Sequence, residues 1–455
     1  MSSAREPSES SPPSSGSASP DKSPAADPQD LIRSREYRRL LVLAAVIGIL
    51  VSLASWVFLE LVHALEVGLY DDLPKSLGFG TPPTWWPLPI LAVAGLVIAF
   101  SVTRLPGRGG HEPSEGLHTG PPTAPIELPG VLLAAVATVG LGLVLGPEAP
   151  LIALGTGLTL LVLDQSRRPV PDQARLVLAA AAAFAALATI FGSPVIGAII
   201  IIEAAGLGGA TLPLVLLPGL MASGIGSLVF VGIGSLTGLS SDAYALPPLT
   251  LPSYQAPQFT DFLWVLLLAV AAAVVVFGVT QLAHRVRDAV SRRPYVLTTT
   301  AALVVGLLAI GFAKVSGQSS SAVLFSGQDA MSSVLAQAGS LSIGTLMLLL
   351  LCKALAWGVS LGAARGGPTF PAIFLGLVGG VLATHLPGVS ETPAVGALVG
   401  AAVVSVLRLP LSAIILALLI THGGTGAAPL IIVAVVVAYI ATLALAATRV
   451  DRAAA

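Results

Sequence analysis

One carboxylate stands alone in a long apolar stretch of this sequence. Glu148 lies in LGPEAPL at 145–151, and no other charged residue occurs from Leu128 to Leu163. A charge held deep in a membrane costs roughly 2.5 to 3.5 kcal/mol on insertion scales, so such residues usually mark a pathway for ions or protons. The isolation of Glu148 therefore predicts a titrating group on such a pathway. The alternative is a carboxylate that caps its own helix or faces water in a loop.

Two proline-containing turns predict helix starts that would surround this acid. Residues 146–150 read GPEAP and residues 366–371 read GGPTFP, and proline fits the first turn of a helix because its missing N–H is not needed there. A helix start offers unpaired N–H groups and roughly half a positive charge, which favours an anion. If the two starts meet near the membrane midplane, they form an anion site from backbone alone. Ionised Glu148 would compete with an anion there, and protonated Glu148 would leave.

A second isolated acid has two interpretations. Glu203 is the only charged residue between Arg175 and Asp242, and it closes the apolar run IIIIE. It is either a residue of an inner vestibule or proton path, or a structural carboxylate bonded to neighbouring helix ends.

The composition indicates that membrane helices position these residues. Of the 455 residues, 55% are hydrophobic and 10% charged, with a mean hydropathy of +0.91. Some apolar runs reach the roughly 20 residues of a spanning helix, whereas others, such as 410–421, are too short to cross a bilayer alone. Short segments broken by Gly and Pro are tolerated where the freed backbone lines an enclosed path. We therefore predict an all-α polytopic membrane protein with many tilted and partly spanning helices.

The remaining composition narrows the class further. The net charge of −1 provides no basic field for nucleic acid, and the single cysteine, Cys352, excludes a disulfide framework. No pattern indicates a metal, a cofactor or an enzyme. Residues 1–30 are rich in Ser and Pro and are predicted to be disordered, which leaves 31–455 as the membrane domain. An N-terminus in the cytoplasm, in a protein of the plasma (inner) membrane, is predicted from Arg33, Arg35, Arg38 and Arg39, which precede the first apolar run.

Two sequence blocks occur twice in the same order. PLIALG at 150–155 matches PAIFLG at 371–376, and SPVIGAIIII at 193–202 matches LPLSAIILAL at 409–418. The chain is therefore predicted to be duplicated, with halves at about 36–235 and 258–448 joined by a Pro-rich linker. Paired interrupted segments in two repeats are the best sequence indicator of a transport site, and here they indicate 146–151 and 366–371.

Four motifs of the sequence together resemble those of the CLC family of chloride channels and proton-coupled anion exchangers. The matching blocks, in the family's order, are GRGGHE at 107–112, VLGPEAPLIALG at 144–155, GSPVIGAIIIIEA at 192–204 and GGPTFPAIFLG at 366–376. The resemblance places Glu148 at the gating glutamate. It implies a CLC-like inverted repeat, a homodimer with one pore per subunit in the lipid bilayer, and transport of chloride or a similar small anion together with protons.

The resemblance also implies a set of site residues. The gating and proton residues would be Glu148 and Glu203, with anion coordination by the backbone at 368–370. The implied anion-binding residues are Arg108, Gly109, Gly146, Pro147, Gly367, Pro368, Thr369 and Phe370.

Three departures from the family pattern bear on function. Arg108 occupies the position of the pore serine, so a guanidinium either replaces the hydroxyl beside the pathway or belongs to a loop arginine. Thr369 takes the usual phenylalanine position, with Phe370 one place later. Ala204 stands where proton-coupled members carry the glutamate of the internal proton step. The sequence therefore favours channel-like or weakly coupled anion conduction over stoichiometric proton/chloride antiport, which would need another proton carrier.

Two other classes were weighed. GVSLG at 358–362 matches the G-x-S-x-G pattern of serine nucleophiles, with His385 and His422 as candidate bases of an intramembrane protease. With 48 glycines in the chain this match is expected by chance. A cation or amino-acid transporter would need acidic or carbonyl-rich sites in place of two helix starts directed inward.

Overall fold

The structure is a computed structural model, and it describes residues 32–117, 120–166, 169–209, 212–237, 245–246 and 248–454. The tail predicted to be disordered, residues 1–30, lies outside the described residues. The described chain is helical, and the isolated pairing of Gly146 with Gly367 is the β-type bridge within it. The predicted all-α architecture is confirmed.

The described chain has eight α-helices in each of the halves predicted from the sequence. The first half contains α1 (Arg35–Val67), α2 (Leu73–Ser76), α3 (Pro87–Arg104), α4 (Leu128–Val139), α5 (Glu148–Asp164), α6 (Asp172–Ile190), α7 (Pro194–Ala204) and α8 (Leu212–Thr237). The second contains α9 (Phe259–Val290), α10 (Pro294–Ser316), α11 (Gln328–Ala336), α12 (Ile343–Ala363), α13 (Thr369–Ala383), α14 (Glu391–Leu407), α15 (Pro410–Thr421) and α16 (Gly424–Ala454). The repeated blocks of the sequence fall on α5 and α13 and on α7 and α15.

Local sequence signals explain where many of these helices begin. Ser34, Ser193 and Ser342 each stand just before a helix and accept a hydrogen bond from a backbone N–H of the first turn. Proline occupies the first turn of α3, α4, α7, α10 and α15, where its missing N–H removes nothing from the helix. These starts are set by the sequence around them and do not need the tertiary fold.

Helices α6 and α14 are buried over most of their length, α6 mainly through Ala residues and α14 mainly through Ala, Val and Gly residues. Helices α13 and α14 approach closely because Gly376 and Gly380 lack side chains: a Cβ at either position would overlap the backbone of Val399 or Val395. Small residues let helix backbones come together where the surrounding solvent is lipid and cannot drive them together. The close packing of α13 on α14 thus depends on the small size of Gly376 and Gly380.

The periphery is apolar and exposed. Leu228 on α8, Leu267 on α9 and Ile440 on α16 expose 72%, 65% and 60% of their surface. By length and composition, eight helices in the described part of the chain could cross a membrane. Lipid is the environment in which such surfaces are stable. The linker crosses between the halves, where Leu246 N–H donates to the Ile190 carbonyl and Leu249 N–H donates to the Ile420 carbonyl.

Candidate functional site

The two predicted helix starts meet at a reciprocal backbone bridge. Gly146 N–H donates to the Gly367 carbonyl at 2.8 Å, and Gly367 N–H donates to the Gly146 carbonyl at 2.7 Å. Pro147 and Pro368 follow, with nearly equal φ values of −86° and −88°, and α5 and α13 begin at the next residue in each half. The matching sequence blocks at 146–150 and 366–371 therefore share one local geometry and lie side by side.

The Glu148 side chain fills the space at this bridge. It is fully buried, and its Oε1 accepts a hydrogen bond from Thr369 N–H at 2.5 Å. The N–H groups of Phe370 and of Glu148 itself also lie near enough to stabilise an ionised carboxylate. The acid of one half thus sits on the helix start of the other half, where the partial positive charge of α13 favours an anion.

The second carboxylate oxygen is the unusual feature of the site. Glu148 Oε2 is buried and has no hydrogen-bond partner among the described residues. A carboxylate has about four lone-pair positions, and a buried polar atom left without a partner costs about 1 to 3 kcal/mol. The carboxyl therefore occupies its place without being fully satisfied there, which favours a side chain that can leave.

The absence of a side chain at both bridged positions leaves the space that the Glu148 carboxyl occupies. A Cβ at Gly367 would overlap the Glu148 carboxyl, and a Cβ at Gly146 would overlap Oε2 of the same group. The glycines therefore create the volume that the carboxyl fills. That volume is bordered by the Thr369 N–H, a donor that an anion could use as well as the carboxyl does.

Two cavities are lined by the residues on either side of Glu148 in the chain. The first, of about 620 Å³, is lined by residues that include Gly107, Gly109, Ala149, Pro150, Arg365 and Gly366, and we call it the glycine-loop cavity. The second, of about 840 Å³, is lined by residues that include Glu66, Pro147, Ser319, Ser320, Phe325 and Gly327, and we call it the serine-loop cavity. Pro147 borders one cavity and Ala149 the other, so buried Glu148 lies between them.

Thr369 and Phe370 form the apolar wall of the site. Both are buried, and the Phe370 ring stacks on Phe191 with centroids 5.6 Å apart. The ring also lies against Gly146, so it closes the volume around the Glu148 carboxyl. In this geometry the backbone N–H of Thr369 carries the polar contact, while the Phe370 side chain excludes water.

The structure separates the two residues predicted from the GRGGHE block. Gly109 is buried and lines the glycine-loop cavity. Arg108 is exposed, has a φ of +48°, and its side chain is not part of that lining. The Arg108 backbone carbonyl instead accepts a hydrogen bond from Nε of Arg365 at 3.4 Å. The guanidinium that lines this cavity belongs to Arg365, which was not predicted as a site residue.

Glu203 makes the contacts of a helix cap. Its Oε1 accepts from Leu411 N–H at 2.8 Å, and its Oε2 accepts from the N–H and the hydroxyl of Ser412 at 2.7 and 2.6 Å. These are the bonds of a carboxylate held at the start of α15, the structural alternative given above. Ala204 follows it and packs at the edge of the core. A part for Glu203 in proton transfer stays a prediction.

A buried lysine was also missed by the sequence analysis. Lys353 Nζ donates to the carbonyls of Leu324 at 2.7 Å and Phe325 at 3.0 Å, and lies 4.7 Å from the ring centroid of Phe374. It thereby holds the loop that walls the serine-loop cavity. A signal was available, because Lys353 is the only charged residue between Asp329 and Arg365, which is the same isolation that identified Glu148.

The residues of the protease alternative are not arranged for access. Ser360 is fully buried and its Oγ accepts a hydrogen bond from Val144 N–H at 3.1 Å, whereas His385 and His422 are exposed. Ser360 therefore supports the loop before Gly146. Among the described residues, no group of three His, Cys, Asp or Glu side chains is placed to hold a metal ion.

Comparisons with known proteins identify the family of the chain. Residues 91–442 match the family described as voltage gated chloride channel. A curated relative, "Putative ion-transport protein YfeO" from Escherichia fergusonii, is 28% identical over 366 residues, which cover 78% of this chain and 82% of the relative. The protein of the same name from Escherichia coli is also 28% identical, over 364 residues, with the same coverage of the two chains.

Two solved structures share the fold over nearly the whole chain. A slow cyanobacterial Cl⁻/H⁺ antiporter matches with a TM-score of 0.71 and 22% identity, covering 90% of this chain and 95% of the other. A CLC-type fluoride/proton antiporter matches with a TM-score of 0.66 and 17% identity, covering 89% and 95%.

Proposed function

Because the chain belongs to the voltage gated chloride channel family, we propose that it carries a small anion, chloride first, between its two cavities through a site gated by Glu148. The observation that carries the proposal is the hydrogen bond from Thr369 N–H to a buried Glu148 carboxylate that lies between the cavities. An anion and this carboxylate need the same N–H groups. Only one of them can occupy the site, so movement of the carboxyl opens it.

The proton enters the proposal through the charge of Glu148. Ionised, the carboxylate is attracted to the start of α13 and excludes an anion; protonated, it loses that attraction and gives up the place. Acidification would therefore raise anion flux. The Oε2 atom without a partner supports this proposal, because a carboxyl with one oxygen free of hydrogen bonds can leave at lower cost than one with both oxygens engaged.

The coupling proposed is weak or absent. Ala204 offers no titrating group at the position where the resemblance places the internal proton glutamate, and the carboxylate beside it, Glu203, is engaged with α15. The alternative is stoichiometric exchange of chloride for protons, and the two similar structures named above are proton antiporters. That alternative needs a proton carrier in the glycine-loop cavity other than residue 204.

The path of the first helices supports an orientation. Helix α1 begins beside the arginine cluster and ends at Val67, which lines the serine-loop cavity; α3 then returns to the turn that lines the glycine-loop cavity. With the N-terminus in the cytoplasm of a cell bounded by a plasma (inner) membrane, the glycine-loop cavity faces the cytoplasm and the serine-loop cavity faces outside.

A homodimer is part of the proposal. Helix α7 packs on α8 and on α15, and α15 packs on α16, so these four helices from both halves form one contiguous face. That face exposes Val195, Leu228, Leu411 and Ile440. A second copy placed there would bury the apolar surface while leaving each Glu148 site inside its own subunit. Cross-linking in lipid and mass measurement in detergent test the copy number.

Flux measurements in liposomes test the function. Purified protein reconstituted in liposomes is expected to release chloride faster than empty liposomes, with a reversal potential that follows the anion gradient. Nitrate and fluoride, each with and without a pH gradient, establish selectivity. Little uphill proton movement under a chloride gradient is expected. Strong uphill movement would establish the exchanger, and a cation-selective potential would overturn anion transport.

A further inference from the structure

The guanidinium of Arg365 is buried beside the pathway. Its side chain is 11% exposed, it lines the glycine-loop cavity, and it directly precedes Gly366 and Gly367 of the bridged turn. Its backbone N–H donates to the Thr138 hydroxyl at 3.3 Å, which fixes the residue against α4. Charges buried in a membrane protein face pathways or partners, so the contacts of this group decide which of the two applies.

The protein contacts of Arg365 leave N–H groups over. Nε donates to the Arg108 carbonyl at 3.4 Å, and Nη1 donates to the Ala364 carbonyl at 3.1 Å. Nη2 lies 3.7 Å from a Glu112 carboxylate oxygen, a distance longer than a hydrogen bond. A guanidinium has five N–H groups. Within the described part of the chain, donors on Nη1 and Nη2 therefore remain for a ligand in the cavity.

The countercharge of Arg365 is shared. Glu112 also lies 3.5 Å from Arg287, and Arg287 in turn lies near Glu115 and Asp288, at 3.6 and 3.5 Å. These acids are more than a third exposed, so water screens them more strongly than it screens the buried guanidinium. Glu127 also lines the cavity, with its Oε2 accepting a hydrogen bond from Ala124 N–H. Arg365 is therefore less exposed, and less screened by water, than Glu112, Glu115 and Asp288.

We propose that Arg365 forms a second anion-binding subsite in the glycine-loop cavity, one that receives small anions before they reach the place of the Glu148 carboxyl and that favours planar oxyanions such as nitrate. This inference rests on the proposed function. Nη1 and Nη2 form a planar pair of donors, which fits two oxygens of one oxyanion in a way that a spherical chloride ion cannot use. A cation in a low-dielectric cavity also concentrates anions locally.

The competing explanation is a purely structural tie. Arg365 joins the Pro106–Gly109 turn to the loop before α13, and loss of that tie alone would lower the amount of active protein. It would lower the maximal rate for every anion alike and leave the concentration dependence unchanged. A binding subsite affects the opposite quantity, the anion concentration for half-maximal flux (KM).

The first experiment compares substitutions of Arg365 in full-length protein in liposomes. Arg365→Gln is expected to raise KM for chloride on the order of tenfold, with kcat within about twofold. Arg365→Lys keeps the charge, so its KM for chloride stays near that of the wild type, but the preference for nitrate over chloride falls. Arg292→Gln is the matched control, since it removes an exposed arginine of a loop far along the chain from the bridged turn.

The second experiment restores the charge chemically. The chain has one cysteine, so Cys352→Ser with Arg365→Cys leaves a single thiol, at the cavity. Modification with a trimethylammonium-ethyl methanethiosulfonate, which adds a positive charge, is expected to lower KM for chloride again. The sulfonatoethyl reagent, which adds a negative charge of similar size, is expected to raise it further.

The outcomes separate this inference from the function on which it rests. If the wild type carries no anion, the proposed function fails first. If the wild type carries anions but Arg365→Gln leaves KM unchanged, or both reagents act alike, Arg365 is a structural tie only. Should the Gln variant fail to fold, an unchanged nitrate preference in Arg365→Lys would overturn the inference by itself.

Discussion

Glu148 and Glu203 are two isolated acids in apolar sequence, and each sits on a helix start of the other half of the molecule. Glu203 receives three hydrogen bonds on its two oxygens, whereas Glu148 receives one on Oε1 and none on Oε2. Glu148 is also fully buried and lies between two cavities. In both cases an acid isolated in apolar sequence lies at a helix start. Glu203 has both oxygens hydrogen-bonded, as in a structural carboxylate, whereas Glu148 has one oxygen without a partner, which suits the proposed gate.

A third acid extends the comparison. Asp261 is buried at the start of α9, where Oδ2 accepts from the Tyr254 hydroxyl at 2.6 Å and Oδ1 accepts from Ser390 N–H at 2.8 Å. Both of its oxygens are engaged, as in Glu203. The unsatisfied oxygen of Glu148 is thus a property of that site and not of buried acids in this fold.

The largest effect is expected from removing the carboxylate of Glu148, which tests the contrast between Glu148 and Glu203. Glu148→Gln and Glu148→Ala are expected to abolish the pH dependence of anion flux and any proton coupling, with flux intact or faster, because neither side chain ionises and so no negative charge then competes with an anion for the Thr369 N–H. Chloride efflux from liposomes between acidic and neutral pH measures this. Flux that still rises on acidification in both variants would count against the gate.

Glu203 is expected to respond in the opposite way. Glu203→Ala removes three charge-assisted hydrogen bonds at the start of α15 and should lower the free energy of unfolding by about 3 kcal/mol. The pH dependence of flux in the surviving protein should match that of the wild type. Thermal unfolding in detergent, with flux measured on the folded fraction, checks both points. A stable Glu203→Ala with altered proton movement would reassign this acid to the proton path.

Displacing the Glu148 carboxyl without changing it should have an intermediate effect. A Cβ in Gly367→Ala would overlap the carboxyl, so the side chain must leave the Thr369 N–H, and flux at neutral pH should rise. Gly379→Ala is the matched control on α13, where the added Cβ meets only ordinary contacts at 3.5 and 3.8 Å. Thr369→Ser should change selectivity less than Gly367→Ala, because Thr369 contributes its backbone. If Gly367→Ala, Gly379→Ala and Thr369→Ser changed flux and selectivity equally, the Gly146–Gly367 bridge would have no particular role in holding the Glu148 carboxyl.

The smallest expected effect concerns Tyr254. Burial first, and then the hydrogen bond to Asp261, raise the pKa of Tyr254 to about 12 from 10.0. The stabilising contribution is therefore complete below pH 10 and is lost as pH rises through about 12. Tyr254→Phe should cost about 1 kcal/mol and leave flux unchanged. Thermal melts at neutral and alkaline pH measure this loss of stability. A changed pH dependence of flux in Tyr254→Phe would contradict the distinction between structural carboxylates and the proposed gate.

The sequence predicted those parts of the site that depend on chain-local chemistry. Isolation in apolar sequence identified Glu148, and the proline turns identified both helix starts, because helix N-termini are set by residues within a few positions. The repeated blocks then predicted that the two starts correspond, and in the structure Gly146 and Gly367 are bonded to each other.

Other parts depend on distances that no local pattern encodes. Arg365 reaches the glycine-loop cavity because α12 ends at Ala363 and the Pro106–Gly109 turn comes back against it. Arg108, by contrast, is exposed although it directly precedes the predicted Gly109. The cavities result from how α1, α3 and the loops pack. Lys353 was predictable in kind from its isolation, but its carbonyl partners were not.

The Gly146–Gly367 pair also limits how the protein can change shape. Two reciprocal backbone hydrogen bonds of 2.8 and 2.7 Å join the two predicted halves beside the Glu148 carboxyl. In transporters that work by rocking one repeat against the other, the contacts at the centre must slide or separate. Here such rocking would break both bonds beside a buried charge. A rotation of the Glu148 side chain alone would leave both bonds intact, so under the proposed function the two predicted halves keep their positions relative to each other.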